Sequence, residues 1–99
     1  LHRIFFKIKI DGPDQANFVK IFAMMAEKRK MPLDEATLIH LLKNKYPTID
    51  NVYANYQPIF LIDQIIAICE FEGIPYQMFP ELMDRAWANM FVRDEHIVK

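Results

Sequence analysis

The sequence predicts a mainly α-helical domain, one short strand followed by four helices, and three observations predict it. Residues 57–73, QPIFLIDQIIAICEFEG, are apolar on nearly every side of a helical wheel and are bracketed by Pro58 and Gly73. Two further segments, 13–29 and 80–91, carry apolar residues at helical spacing. Only residues 3–10, RIFFKIKI, alternate with the period of a strand. A helix that is apolar almost all round is a buried one, so the remaining segments are expected to pack around residues 57–73. With Asp63, Glu70 and Glu72 in it, and at about 15 residues, that helix is too charged and too short to span a bilayer.

In the strand, Ile4, Phe6, Ile8 and Ile10 share one face and Arg3, Phe5, Lys7 and Lys9 the other. No other segment alternates, so the strand has no ladder partner in this sequence. Together with a start at Leu1, this reads as a piece of a larger protein. Asp11-Gly12-Pro13 is a turn that opens the first helix, expected over residues 13–29, because proline fits the first turn and Asp14 suits the positive end of the helix dipole. Phe18, Ile21, Phe22 and Met25 form its apolar stripe. Asp34 is an N-cap or first-turn acid for a second helix that runs to Lys45, with Leu38, Leu41 and Leu42 inward. Residues 48–56, TIDNVYANY, lack a clear period and read as a loop with room for a helical turn; a connector of that length favours a functional role. After Gly73, residues 74–78 form a second connector. Pro80 and Glu81 open the last helix, in which Leu82, Met83, Ala86, Trp87, Met90 and Phe91 make a wide apolar face. Residues 93–99 are polar and read as a fraying end.

Composition narrows the possible functions. An apolar share of 53% argues against disorder, and 99 residues suffice for one core. A formal net charge of −1 gives no bulk field toward nucleic acid or an anionic membrane. One cysteine permits no internal disulfide, which suits a reducing, cytoplasmic setting. Two glycines and no serine exclude glycine-rich phosphate loops and serine nucleophiles. His2, His40 and His96 are too dispersed for a metal site. Cys69, inside the apolar helix, reads as an inert buried thiol. The basic run Lys28, Arg29 and Lys30 closes a helix, where cations suit the dipole. Tyr53 and Tyr56, in the loop, stand out as candidates for contact with a partner.

Three segments resemble the lid region of AAA+ ATPases, closest to the MoxR-like branch. LHRIFFKIKIDGPD, residues 1–14, is similar to the family's Leu-x-Arg-Phe motif, its last core strand and the Pro-Asp start of the lid. Residues 57–73 resemble the sensor-2 helix, and residues 74–91 the turn and last lid helix that follow. The resemblance implies a four-helix lid-type bundle (residues 13–99) attached through residues 1–12, the end of an ATPase core strand and a hinge at Asp11, Gly12 and Pro13. It also implies a parent protein that binds ATP with Mg2+ in a core preceding Leu1 and assembles as a ring, with no catalysis by this chain alone. By position, Arg3 matches the arginine that reaches the neighbouring subunit's nucleotide and stabilises charge in phosphoryl transfer. Ile21, Gln57, Pro58, Ile59 and Ile62 match the lid's nucleotide-facing positions. One departure is plain: the sensor-2 arginine is replaced by Ile59, which cannot donate a charged hydrogen bond to phosphate. The alternative is a stand-alone helical interaction domain that presents Tyr53 and Tyr56 to a protein partner.

Overall fold

The computed structural model describes the backbone of residues 10–98 and the side chains of residues 10–91. The strand expected over residues 3–10 lies outside that range except for Ile10, which is irregular and packs against the core. Among the described residues the fold is helical: α1 (Gly12–Lys28), α2 (Glu35–His40), α3 (Tyr56–Glu72) and α4 (Pro80–Val98). Between α2 and α3 the chain forms a π-helical turn (Leu41–Lys45) and then a 3-10 turn (Tyr46–Ile49). Helix α3 packs between α1 and α4, and α2 with the π turn packs on α4.

Local chemistry accounts for the helix ends. Asp34 caps α2 by accepting the Thr37 amide at 3.0 Å. Gly73 ends α3 in the left-handed conformation, φ 69°, and the Ile74 N–H donates to the Cys69 carbonyl at 3.0 Å, a Schellman ending. The same motif ends α1, where the Met31 N–H donates to the Ala26 carbonyl at 2.8 Å and buries the Met31 side chain. The left-handed position there is Lys30, φ 59°. A side chain in that conformation costs about 1 kcal/mol that glycine does not.

The expected second helix to Lys45 needs correction. Ordinary pitch would follow the inward Leu38, Leu41 and Leu42 with Lys45. Pro47 has no N–H to donate back, and the chain widens just before it: the Tyr46 N–H donates to the Leu41 carbonyl, an i to i−5 bond. One extra residue enters the turn. Tyr46 thereby takes the inward position and is fully buried, while Lys45 swings out to Asp84 at 3.1 Å.

The core holds Phe18, Phe22, Leu38, Leu41, Leu61, Ile62, Ile65, Leu82, Met83 and Met90, and Ile62 and Ile65 have no exposed surface. The expectation that α3 is enclosed on all sides is only partly met. Its inner face is buried, yet Phe71 is 90% exposed and Tyr56 48%. Cys69 is buried, its thiol donating to the Gln77 carbonyl at 3.4 Å, as an inert thiol should be.

Outside the core, His40 Nε2 lies 2.7 Å from Asp84 Oδ1, so His40 and Lys45 together fasten α2 and the π turn to α4. Burial acts to raise the Asp84 pKa, but hydrogen bonds from His40 and Lys45 outweigh it and hold the carboxyl below its ordinary value.

Two expected outcomes follow from these ends and fastenings. Lys30→Gly should raise stability by about 0.5–1 kcal/mol in urea unfolding, because it relieves the left-handed side chain. A depressed carboxylate stabilises the fold above its unfolded pKa, near pH 4, and that contribution fades as pH falls through the folded value. The wild-type chain should therefore lose stability from about pH 4 downward more steeply than Asp84→Asn.

Candidate functional site

A cleft of about 470 Å³ opens at the start of α1. Asp11, Gly12 and Pro13, the expected hinge, line one side of it. Ile39, Leu42, Pro47 and Tyr53 supply its apolar lining, and Asp14, Gln15, Lys43 and Asn51 its polar groups. Gly12 begins α1 at φ +86°, a region open to glycine and disfavoured for L side chains. An added Cβ at Gly12 would meet nothing within 4 Å, so glycine serves backbone freedom there and not packing. On the far side, Asp50 and Asn51 are both left-handed, with φ 59° and 57°. Asp and Asn tolerate that region best after glycine. These residues reverse the chain after the 3-10 turn and bring Tyr53 back to the cleft.

A chain of polar and aromatic contacts runs from the cleft to the start of α3. The Asp11 N–H donates to Gln15 Oε1 at 2.8 Å, and Gln15 Nε2 donates to the Tyr53 hydroxyl at 2.7 Å. The Tyr53 ring stacks on the Tyr46 ring at 4.4 Å between centroids. The Tyr46 hydroxyl donates to Gln57 Oε1 at 2.7 Å, and the same oxygen accepts the Ala54 N–H at 3.0 Å. Phe18 and Trp87 meet Tyr46 edge-on at 4.9 and 4.8 Å, the geometry that aromatic quadrupoles favour. Burial, reinforced by Tyr53 and Tyr56 nearby, pushes the Tyr46 pKa far above its ordinary value. The hydroxyl is held neutral, as a donor. Helices α1 and α3 also start side by side, with Asn17 Nδ2 donating to Asn55 Oδ1 at 3.3 Å.

The sequence-predicted residues fall in three places. Asp11, Gly12 and Pro13 come together at the cleft with Tyr53. Gln57, Pro58 and Ile62 turn into the core, while Ile21 and Ile59 are half-buried on neighbouring helices. Tyr56 opens α3 and is half-exposed, whereas the Tyr53 ring is half-buried in the aromatic stack. Arg3 lies outside the described residues. Gln15 and Tyr46 were not anticipated. Tyr46 had one signal, the proline after it; Gln15 had none, because its role depends on a tyrosine 38 positions away.

The sequence profile of a family described as "Domain of unknown function (DUF8689)" matches residues 14–89. The chain belongs to that family. No match is found among curated proteins or among solved structures. The matched DUF8689 span runs from the first turn of α1 well into α4, so the helical module carries the family sequence, including Gln15, Tyr46, Tyr53 and Gln57.

The polar groups of the cleft are two carboxylates, one ammonium, carboxamides and a tyrosine hydroxyl, with no Cys, His, Ser or Thr among the lining residues. No group of three or more His, Cys, Asp or Glu able to hold a metal occurs among the described residues.

The Tyr46 environment makes the fold sensitive to alkali. The unfolded chain loses the Tyr46 proton near pH 10 and the folded chain keeps it well beyond. Its stabilising contribution is therefore complete below pH 10 and is lost as pH rises above it, by up to about 1.4 kcal/mol per pH unit. Tyr46→Phe should cost about 1 kcal/mol at pH 7 through the lost Gln57 bond, and should flatten the decline above pH 10. Urea midpoints measured across that range check both.

Proposed function

We propose that this chain is the helical lid of a larger AAA+-type ATPase, a module that turns on Asp11, Gly12 and Pro13 and has no chemistry of its own. The observation that carries the reading is the linkage from the hinge to α3. A rotation at Gly12 moves the Asp11 amide, and Gln15, Tyr53, Tyr46 and Gln57 join that amide to the first turn of α3. In the lid arrangement this is the helix nearest the nucleotide, and α1 starts beside it.

On this reading ATP and Mg2+ are held by the preceding core, and neighbouring subunits of a ring are the partners. Arg3 would reach toward the next subunit's nucleotide. Since Gln57, Pro58 and Ile62 are committed to the core, the lid covers the adenine with Ile21 and Ile59. Ile59 in place of arginine leaves coupling to the γ-phosphate weak. A cytoplasmic location belongs to this same proposal. No described helix is long and apolar enough to cross a membrane. The exposure of Phe71 favours a second reading, a self-contained helical interaction domain.

ATP binding by the full-length protein separates the two. Gly12→Val tests the hinge itself: an added Cβ meets nothing within 4 Å, but a side chain at that positive φ costs about 1–2 kcal/mol, enough to shift the lid equilibrium by roughly tenfold. Steady-state ATPase turnover should fall accordingly, with KM moving as well. Absence of ATP binding, or wild-type turnover in Gly12→Val, would overturn the proposal.

A further inference from the structure

The cleft at the start of α1 brings together charges of both signs that the fold does not use. Asp11 and Asp14, three positions apart and so on one side of the first turn, line it from α1. Lys43 and Asn51 line it from the segment between α2 and α3. Among the described residues neither carboxylate is in an ion pair, and nor is Lys43. Lys45, two residues on, is bonded to Asp84. Lys43 thus shares a cleft with two acids and stands beyond ion-pair distance of both.

We propose that the cleft binds a small zwitterion whose ammonium and carboxylate are held apart by an apolar stretch, the chemistry of an ω-amino acid. The proposal does not rest on the lid reading.

Charge is the first argument. The ammonium of the ligand meets Asp11 and Asp14, and its carboxylate meets Lys43 and the Asn51 carboxamide. The Tyr53 hydroxyl accepts the N–H of the buried Gln15 at 2.7 Å, which leaves its own proton for an acceptor in the cleft. Two acids stand against one lysine, but the positive end of the α1 dipole lies beside them, and the Asp11 side chain makes no capping bond. The site is close to neutral, so a ligand with both charges leaves fewer groups unpaired than a ligand with one.

Size and lining are the second argument. About 470 Å³ falls within the range of small-ligand clefts, roughly 300–1,000 Å³. Leu42, Pro47 and the Tyr53 ring supply apolar surface there, and a zwitterion as short as glycine has nothing to set against it. Methylenes between the charged ends bury that surface. The backbone agrees: Leu42 and Lys43 belong to the π turn, and Asn51 is left-handed at φ 57°. Irregular turns of this kind recur at ligand sites, where they aim side chains that a regular helix cannot.

Equilibrium dialysis of labelled ε-aminocaproate against the full-length protein tests this. Binding should saturate between about 0.1 and 1 mM, and glycine, hexylamine and hexanoate should each compete at least about tenfold more weakly. Lys43→Met should reduce affinity by about tenfold or more, and so should Asp14→Asn; both positions are exposed, so the helical circular-dichroism spectrum should not change. The single-charge competitors probe the same two ends without any substitution, and so decide the matter even for a variant that fails to fold. Lack of saturable binding overturns the proposal. So does hexylamine or hexanoate matching ε-aminocaproate, which leaves a site for one charge only, or glycine matching it, which removes the apolar stretch. Full affinity in folded Lys43→Met or Asp14→Asn overturns it as well, by placing the ligand elsewhere.

Discussion

The structure depends on one buried hydroxyl. Tyr46 stands at the meeting point of every long helix: its ring touches Phe18 of α1 and Trp87 of α4, and its hydroxyl bonds Gln57 of α3. A buried hydroxyl without a partner is costly, so its bond to Gln57 fixes the first turn of α3 against the 3-10 turn. The Gln57 oxygen is then doubly used, because it also accepts the Ala54 N–H, and this determines how the loop from residue 50 returns. Core leucines and isoleucines supply bulk hydrophobic stabilisation, but they would accept many relative placements of the helices. The directional bond at Tyr46 selects one.

The same contact ties the cleft at the start of α1 to the core. The tyrosine stack at the cleft is continuous with the core, and the Asp11 amide is bonded into it through Gln15. Residue 11 is thereby joined to the helix starts through groups that are buried or half-buried and hydrogen-bonded.

Much of the fold was legible because its signals are local. Pro13, Pro58 and Pro80 sit in the first turns of α1, α3 and α4, and Gly73 ends α3 where a left-handed residue is needed. The inward positions of α1 and α4 follow from periodicity alone. The middle of the chain was not legible. Leu38, Leu41 and Leu42 point to a helix continuing to Lys45, and only distant partners, Phe18 and Trp87, make it favourable to widen the turn and bury Tyr46 instead. The cleft was half legible. The turn at Asp11-Gly12-Pro13 could be named from the sequence, but the opposite wall comes from residues 39–53, and no local pattern says that these segments meet. The same limit applies to Gln57 and Pro58, whose place in the first turn of α3 is local and whose burial depends on partners distant in the chain.

The wide turn at Leu41–Lys45 is one residue longer than the helix needs, and that surplus determines which kind of sequence change the protein tolerates. Substituting Lys43 or Asn44, both exposed, leaves the turn intact. Removing either one restores ordinary pitch with Tyr46 in the inward place that Lys45 would otherwise take, so the tyrosine stays among the aromatic rings. Adding a residue there turns the tyrosine away from the core, so in this segment the direction of the length change matters more than the identity of the exposed residues.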